Sequence, residues 1–161
     1  MEYNSIIGKI NANKEDIISF YSGLPGFENL KDFVLLSFPE NEPIKWLVSL
    51  EDEGVVLPVI DPWVVRKDYF LDIDDEYIKL LEINNKEKLL IMSILRIPND
   101  NPKDITVNLV APLIINLENN RGMQILLDSQ DYRIRHSVKE ELKRSENLVI
   151  KKGEKDKNAD T

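Results

Sequence analysis

The chain has no cysteine, so disulfides, thiolate nucleophiles and thiolate metal ligands are all excluded. It has one histidine, His136, set between Arg135 and Ser137 and outside any HExxH or paired-ligand spacing; a lone histidine is commonly a packed or exposed residue, not a base. Glycine is scarce, six in 161 residues, and nowhere falls in the GxGxxG or GxxxxGK[ST] spacing that aims backbone N–H groups at a phosphate. No run approaches the ~20 apolar residues of a membrane helix, and the N-terminal stretch has no basic-then-apolar signal pattern. A soluble, unexported, cytoplasmic chain is therefore expected. Positive charge is also short, 21 Lys and Arg against 29 Asp and Glu for a net −8, which argues against direct nucleic-acid binding because a phosphate backbone demands a basic face.

The acidic excess is local. Residues 139–161 hold seven Lys/Arg and six Asp/Glu, which leaves fourteen against twenty-three for residues 1–138. Between 51 and 76 alone stand Glu51, Asp52, Glu53, Asp61, Asp68, Asp72, Asp74, Asp75 and Glu76, with only Arg66 and Lys67 to offset them. Such a field attracts and orients a basic partner, or simply keeps the surface solvated. The run from Asp72 starts like a calcium loop but fails where it matters: Tyr77 stands where glycine is required and Ile83 where a bidentate Glu is required. No metal, cofactor or catalytic residue is assigned.

Short runs rich in β-branched and aromatic residues recur between turn signals: "IISFYS" from Ile17, "FVLLSF" from Phe33, "IKWLVSL" from Ile44, "VVLPVI" from Val55, "YFLDI" from Tyr69, "KLLIMSILRI" from Lys88, "ITVNLVAPLIIN" from Ile105 and "MQILLD" from Met123. Strands of this length and spacing predict a mainly β chain, a single antiparallel barrel-like or sandwich domain with one or two short helices. The runs from Lys88 and Ile105 are apolar on both faces and are expected to lie centrally. Pro112, without an N–H, predicts a bulge or edge between Asn108 and Asn116, whose amides would serve loose backbone groups. Helices are expected after Asp74, with acids in the first turn, and from Ser137, with Glu140 completing a capping box. The second helix has apolar residues only at Val138 and Leu142 and should bury little. The folded domain is placed at 1–142 and a polar, disordered tail at 143–161, with Ile150–Thr161 dispensable.

In "SGLPGFENL", residues 22–30, Pro25 and Gly26 occupy the two central positions of a type II turn, with Gly26 at positive φ. Phe27 then either plugs the core or faces a partner. With 29 acids, a carboxylate pair of glycosidase type is conceivable, as is a carbohydrate-binding sandwich, yet two tryptophans give the latter thin support. A protein that acts by binding is the stronger class.

"TVNLVAPLIINLENNRGMQILLD" (106–128), together with "GLPGFE" from Gly23, "FVLLSF" from Phe33, "KWLVSLED" from Lys45, "LPVIDPW" from Leu57 and "YRIRHSV" from Tyr132, resembles the flagellar assembly factor family FliW, over roughly residues 17–138. The resemblance implies a small antiparallel β-barrel without catalysis, and two cytoplasmic partners: flagellin, and CsrA, an RNA-binding repressor of the flagellin message. Flagellin would hold the protein until export, after which the freed protein would draw CsrA off the message without itself touching RNA. On this resemblance the acidic residues Glu51, Asp52, Glu53, Asp72, Asp74 and Asp75 are expected to meet basic CsrA. Phe27, Trp46 and Trp63 are expected to offer apolar anchors to an amphipathic flagellin segment.

Overall fold

Seven strands close into a barrel in the computed structural model, which describes the backbone of residues 1–159 and side chains through Leu148. The barrel strands are β3 (Ile18–Phe20), β4 (Asp32–Ser37), β5 (Lys45–Ser49), β6 (Val56–Ile60), β7 (Leu89–Arg96), β9 (Leu113–Asn116) and β10 (Arg121–Gln124). They run round the wall in the order β7-β6-β5-β4-β3-β10-β9, and β9 pairs back to β7. β7 is long enough to serve three neighbours. Its first half pairs with β9 from Leu89↔Asn116 to Met92↔Leu113, and its second half pairs with β6 on one side and with β8 (Thr106–Val107) on the other. A short strand β11 (His136–Ser137) extends the sheet beyond β8, and an N-terminal hairpin of β1 (Glu2–Ser5) and β2 (Gly8–Asn11) stands apart.

One junction departs from the antiparallel expectation: β10 meets β3 in parallel, with Gly122 opposite Phe20. The ring of Phe20 lies over that glycine, and a Cβ at 122 would stand 2.7 Å from it. Phe20 then meets Phe33 edge-on at 5.4 Å inside the barrel.

Alternation along the strands sorts their side chains between three apolar clusters. Phe20, Phe33, Leu47, Val59, Met92, Leu113 and Ile115 fill the interior. Their neighbours Val34 and Val48 point outward, under the β1–β2 hairpin with Ile10 and Ala12. On the opposite wall Ile60, Leu95, Val107 and Ile114 point outward beneath the remaining chain. That double burial explains why the runs from Lys88 and Ile105 are apolar on both faces.

Three sequence expectations are corrected. "YFLDI" forms no strand, although its alternation is real: Tyr69 is buried, Leu71 and Ile73 are half-buried, and Phe70 and Asp72 are exposed. The segment runs extended between α1 (Pro62–Val65) and α2 (Asp75–Leu80) and finds no strand partner, because side chains hold it in place. "MQILLD" leaves the sheet after Gln124, but Ile125 and Leu127 still donate their N–H groups to the carbonyls of Pro112 and Val110. The long helix α3 runs from Val138 to Ala159, through the segment assigned to a tail from 143. Among its described side chains the fully buried ones are polar, Glu141 and Ser145, whereas Leu142 is exposed and Val138 packs half-buried at its start. The side chains beyond Leu148, on which the tail's dispensability turns, lie outside the described residues.

Other expectations hold. Gly26 has φ +86°, and Phe27 N–H donates to Leu24 O at 2.7 Å across the turn. Asp74 precedes α2 as anticipated, though its side chain makes no capping bond, whereas Ser137 Oγ accepts from Glu140 N–H at 3.3 Å. Asn108 Oδ1 accepts from Ala111 N–H beside Pro112, and buried Asn116 donates to the carbonyl of Leu81.

Candidate docking surface

Two tyrosines fix the extended segment after α1. Tyr69 buries its ring and donates its hydroxyl to Leu109 O at 2.7 Å, while the hydroxyl of Tyr132 accepts from Phe70 N–H at 2.7 Å. The rings tilt against each other at 4.8 Å. Burial pushes the Tyr69 phenol well above its ordinary value, so it remains a donor. With Tyr69 anchored inward, Phe70 is forced out and stands 70% exposed.

Beside it opens a depression of about 280 Å³, walled by Phe70, Tyr77 and Tyr132 on one side and the chain from Ile125 to Ser129 on the other. Four carboxylates rim it, those of Asp72, Asp74, Asp128 and Asp131, and Leu126 stands 65% exposed nearby. Four carboxylates of one sign converging on a concave surface add their fields there.

Beneath Tyr132 lies a buried polar network. His136 Nε2 accepts from Arg133 N–H at 2.7 Å, which leaves the ring proton on Nδ1, facing Glu141 Oε1 at 3.1 Å. The same carboxylate oxygen meets Arg66 at 3.5 Å, and the guanidinium of Arg66 lies over the Tyr132 ring at 4.8 Å. Desolvation holds the His136 pKa below its ordinary value; Glu141 opposes the shift, and the nearby charges of Arg133 and Arg66 add to it. At the rim Arg144 grips Asp68 with two bonds of 2.6 Å, which lowers the Asp68 carboxyl and raises the guanidinium. Ser145 completes the seam, donating to Val65 O and accepting from Lys67 N–H. Helix α3 is thus held to α1, the residues that follow it and β11 by ionic and hydrogen-bonded contacts.

Of the acids named from sequence, Asp72 and Asp74 reach the depression, and Asp75 is exposed in the first turn of α2. Glu51, Asp52 and Glu53 sit in the β5–β6 turn, at the other end of β6, roughly 15 Å of strand away. There Glu51 Oε1 accepts from the N–H groups of Lys31 and Asp32, and Asp52 accepts from Gly54 N–H. The acidic run is continuous in sequence but divided in space.

The three aromatics are divided as well. Phe27 is half-buried against the barrel interior, and Trp46 is half-buried under the hairpin with Nε1 donating to Asn41. Trp63, 37% exposed, donates to Tyr69 O and meets that ring edge-on at 5.4 Å. Among the described residues the three pack against different parts of the fold: the barrel interior, the hairpin and Tyr69. Phe70, Leu126 and Ile134, which stand out from the surface as Ile6 and Tyr21 also do, were not named from sequence, although alternation already set Phe70 opposite Tyr69.

Fold and surface define the class: a closed β-barrel of seven strands with a carboxylate-rimmed, aromatic-lined depression on its surface. The model of the FliW protein family matches residues 3–138, and the chain belongs to that family. Relatives called flagellar assembly factor FliW include one from Thermosipho africanus, 50% identical over 140 residues, covering 87% of this chain and 97% of the relative. Those from Pseudothermotoga lettingae and Thermotoga maritima are 44% and 42% identical, covering 94% and 92% of this chain and 96% and 100% of the relatives. A crystal structure of the flagellar assembly factor FliW superposes with a TM-score of 0.79 at 29% identity, over 86% of this chain and 96% of that one.

Proposed function

We propose that this protein is a flagellar assembly factor that works in the cytoplasm by binding, without catalysis, and exchanges flagellin for the RNA-binding repressor CsrA. Family membership supports the flagellar role, and the name borne by the relatives is that of assembly factors, not of enzymes. The observation that carries the reading is the aspartate-rimmed depression. CsrA must present basic surface to hold RNA, and Asp72, Asp74, Asp128 and Asp131 around Phe70 and Tyr77 offer that surface both charge and an apolar seat. Glu51, whose carboxylate is engaged by two backbone N–H groups, is a clamp for the β3–β4 and β5–β6 turns first. An amphipathic flagellin segment would find its apolar contacts at exposed Phe70 and Leu126.

Titration calorimetry with purified CsrA and flagellin tests this. Asp72→Asn, Asp74→Asn and Asp131→Asn together should weaken CsrA binding about tenfold or more at low salt, and wild-type association should weaken as salt shortens the Debye length to about 8 Å at 0.15 M. Undiminished CsrA binding by that variant would overturn the assignment of the depression, and failure of the wild-type protein to bind either partner would overturn the function.

A further inference from the structure

Tyr132 has a second side. Past it the chain turns through Arg133, Ile134 and Arg135, and this turn, with Val110, lines a shallow groove that shares Ile134 and Arg135 with a second, lined also by Arg96 and Thr106. Ile134 stands 66% exposed, and Arg96, Arg133 and Arg135 are exposed around it. None of the three forms an ion pair among the described residues, whereas Arg66, Arg121 and Arg144 all do. In a chain of net charge −8, three uncompensated guanidinium groups around an exposed isoleucine form a patch opposite in sign to the rest.

The turn is firmly built. Arg133 N–H is tied to His136 Nε2, Arg133 O accepts from Leu109 N–H, and β11 pairs with β8 directly after it. Its side chains are therefore presented from a held backbone.

We propose that this groove is a second docking site, and that its occupant is a protein segment carrying acidic side chains on either side of one apolar residue. Ile134 and half-buried Val110 seat the apolar side chain, and the guanidinium forks of Arg96, Arg133 and Arg135 take carboxylates in paired hydrogen bonds. Charge complementarity selects a peptide over a nucleic acid: the aspartate-rimmed depression adjoins across Tyr132, and its carboxylates would repel a polyphosphate backbone running on from the arginines. The inference is independent of which proteins are exchanged at the depression.

The test is fluorescence anisotropy on the full chain with three labelled synthetic peptides, in which one leucine is flanked by glutamates, by lysines or by glutamines. The glutamate peptide should bind saturably and tighter than the other two. Arg96→Glu, Arg133→Glu and Arg135→Glu together should weaken it about tenfold or more, while Asp72→Asn with Asp74→Asn leaves it unchanged. Ile134→Ser, which keeps every charge, should also weaken it and serves if the triple reversal lowers the melting temperature. No saturable binding of the glutamate peptide, equal binding by wild type and both variants, or tighter binding of a labelled single-stranded RNA lost in the triple reversal, would each overturn the proposal.

Discussion

Gly23 and Gly26 both take positive φ in the turn that leads to Phe27, but their surroundings differ. A Cβ on Gly26 would meet nothing within 4 Å, whereas one on Gly23 would stand 2.5 Å from the backbone oxygen of Glu28. Gly26→Ala should therefore cost only the backbone penalty, roughly 1–2 kcal/mol. Gly23→Ala adds a clash with main chain that cannot step aside, and should cost about 3 kcal/mol or more. Urea denaturation of the two variants checks the order, and equal costs would show that the main chain at Glu28 gives way. His136 supplies a pH signature at the same scale. Its folded pKa lies below the unfolded value of about 6.5, so between the two the unfolded chain binds more protons. Stability from this group is full above about pH 6.5 and declines as the pH falls toward the folded value. Melting temperatures measured across that range should slope downward into acid, and His136→Gln should flatten the slope.

Helix α3 shows how an element without an apolar stripe can still be docked. Its inward residues, Glu141 and Ser145, are polar, and the Arg66–Glu141 pair lies with its two side chains only 13% and 10% exposed. Removing one partner of such a pair strands the other in a poorly solvated site, so Glu141→Ala should cost about 3 kcal/mol or more. The Arg144–Asp68 pair is shorter and bidentate, yet its side chains are 39% and 46% exposed, and solvent screening limits Arg144→Ala to about 1 kcal/mol. Thermal melts in which Arg144→Ala proves the costlier change would refute this ranking. Ending the chain after Leu142, the boundary drawn from sequence, removes both Arg144 and the bonds of Ser145 to Val65 and Lys67. That truncation should lower the melting temperature by several degrees, since each kcal/mol is worth about 2–4 °C in a domain of this size.

At the scale of the whole molecule, the barrel sets two grooves of opposite charge on either side of one tyrosine. The Tyr132 hydroxyl holds Phe70 on the acidic side, and its ring underlies Arg66 on the way to Glu141 and His136. Tyr132→Phe keeps the ring and drops the bond to Phe70, so it should loosen the acidic depression with a loss of about 1–2 kcal/mol. We expect it to weaken binding of a basic partner at the depression and to spare an acidic peptide at the arginine groove. Equal losses for both ligands would instead mark Tyr132 as a general prop of the fold.

Much of the architecture was legible in the residues, because period-two alternation and turn chemistry are local physics. Six of the eight strand runs, the Pro25-Gly26 turn, the break at Pro112 and the start of α3 at Ser137 follow from side chains acting on their own neighbourhood, whereas "YFLDI" and the second half of "MQILLD" lie outside the sheet. Closure was not legible. Whether β9 returns to β7, and whether β10 meets β3 in parallel, depends on partners distant along the chain, and a strand's sequence does not state which neighbour it will find. The site shares that limit. Asp72 and Asp74 could be picked out for their charge, but Asp128 and Asp131 join them only because residues 125–132 pack across Tyr69, and Glu51–Glu53 part from them because β6 intervenes. Helix α3 is the sharpest instance. A buried Glu141 reads as a solvated acid until the fold sets Arg66 and His136 against it, since desolvation and ion pairing are properties of the surroundings a side chain is folded into.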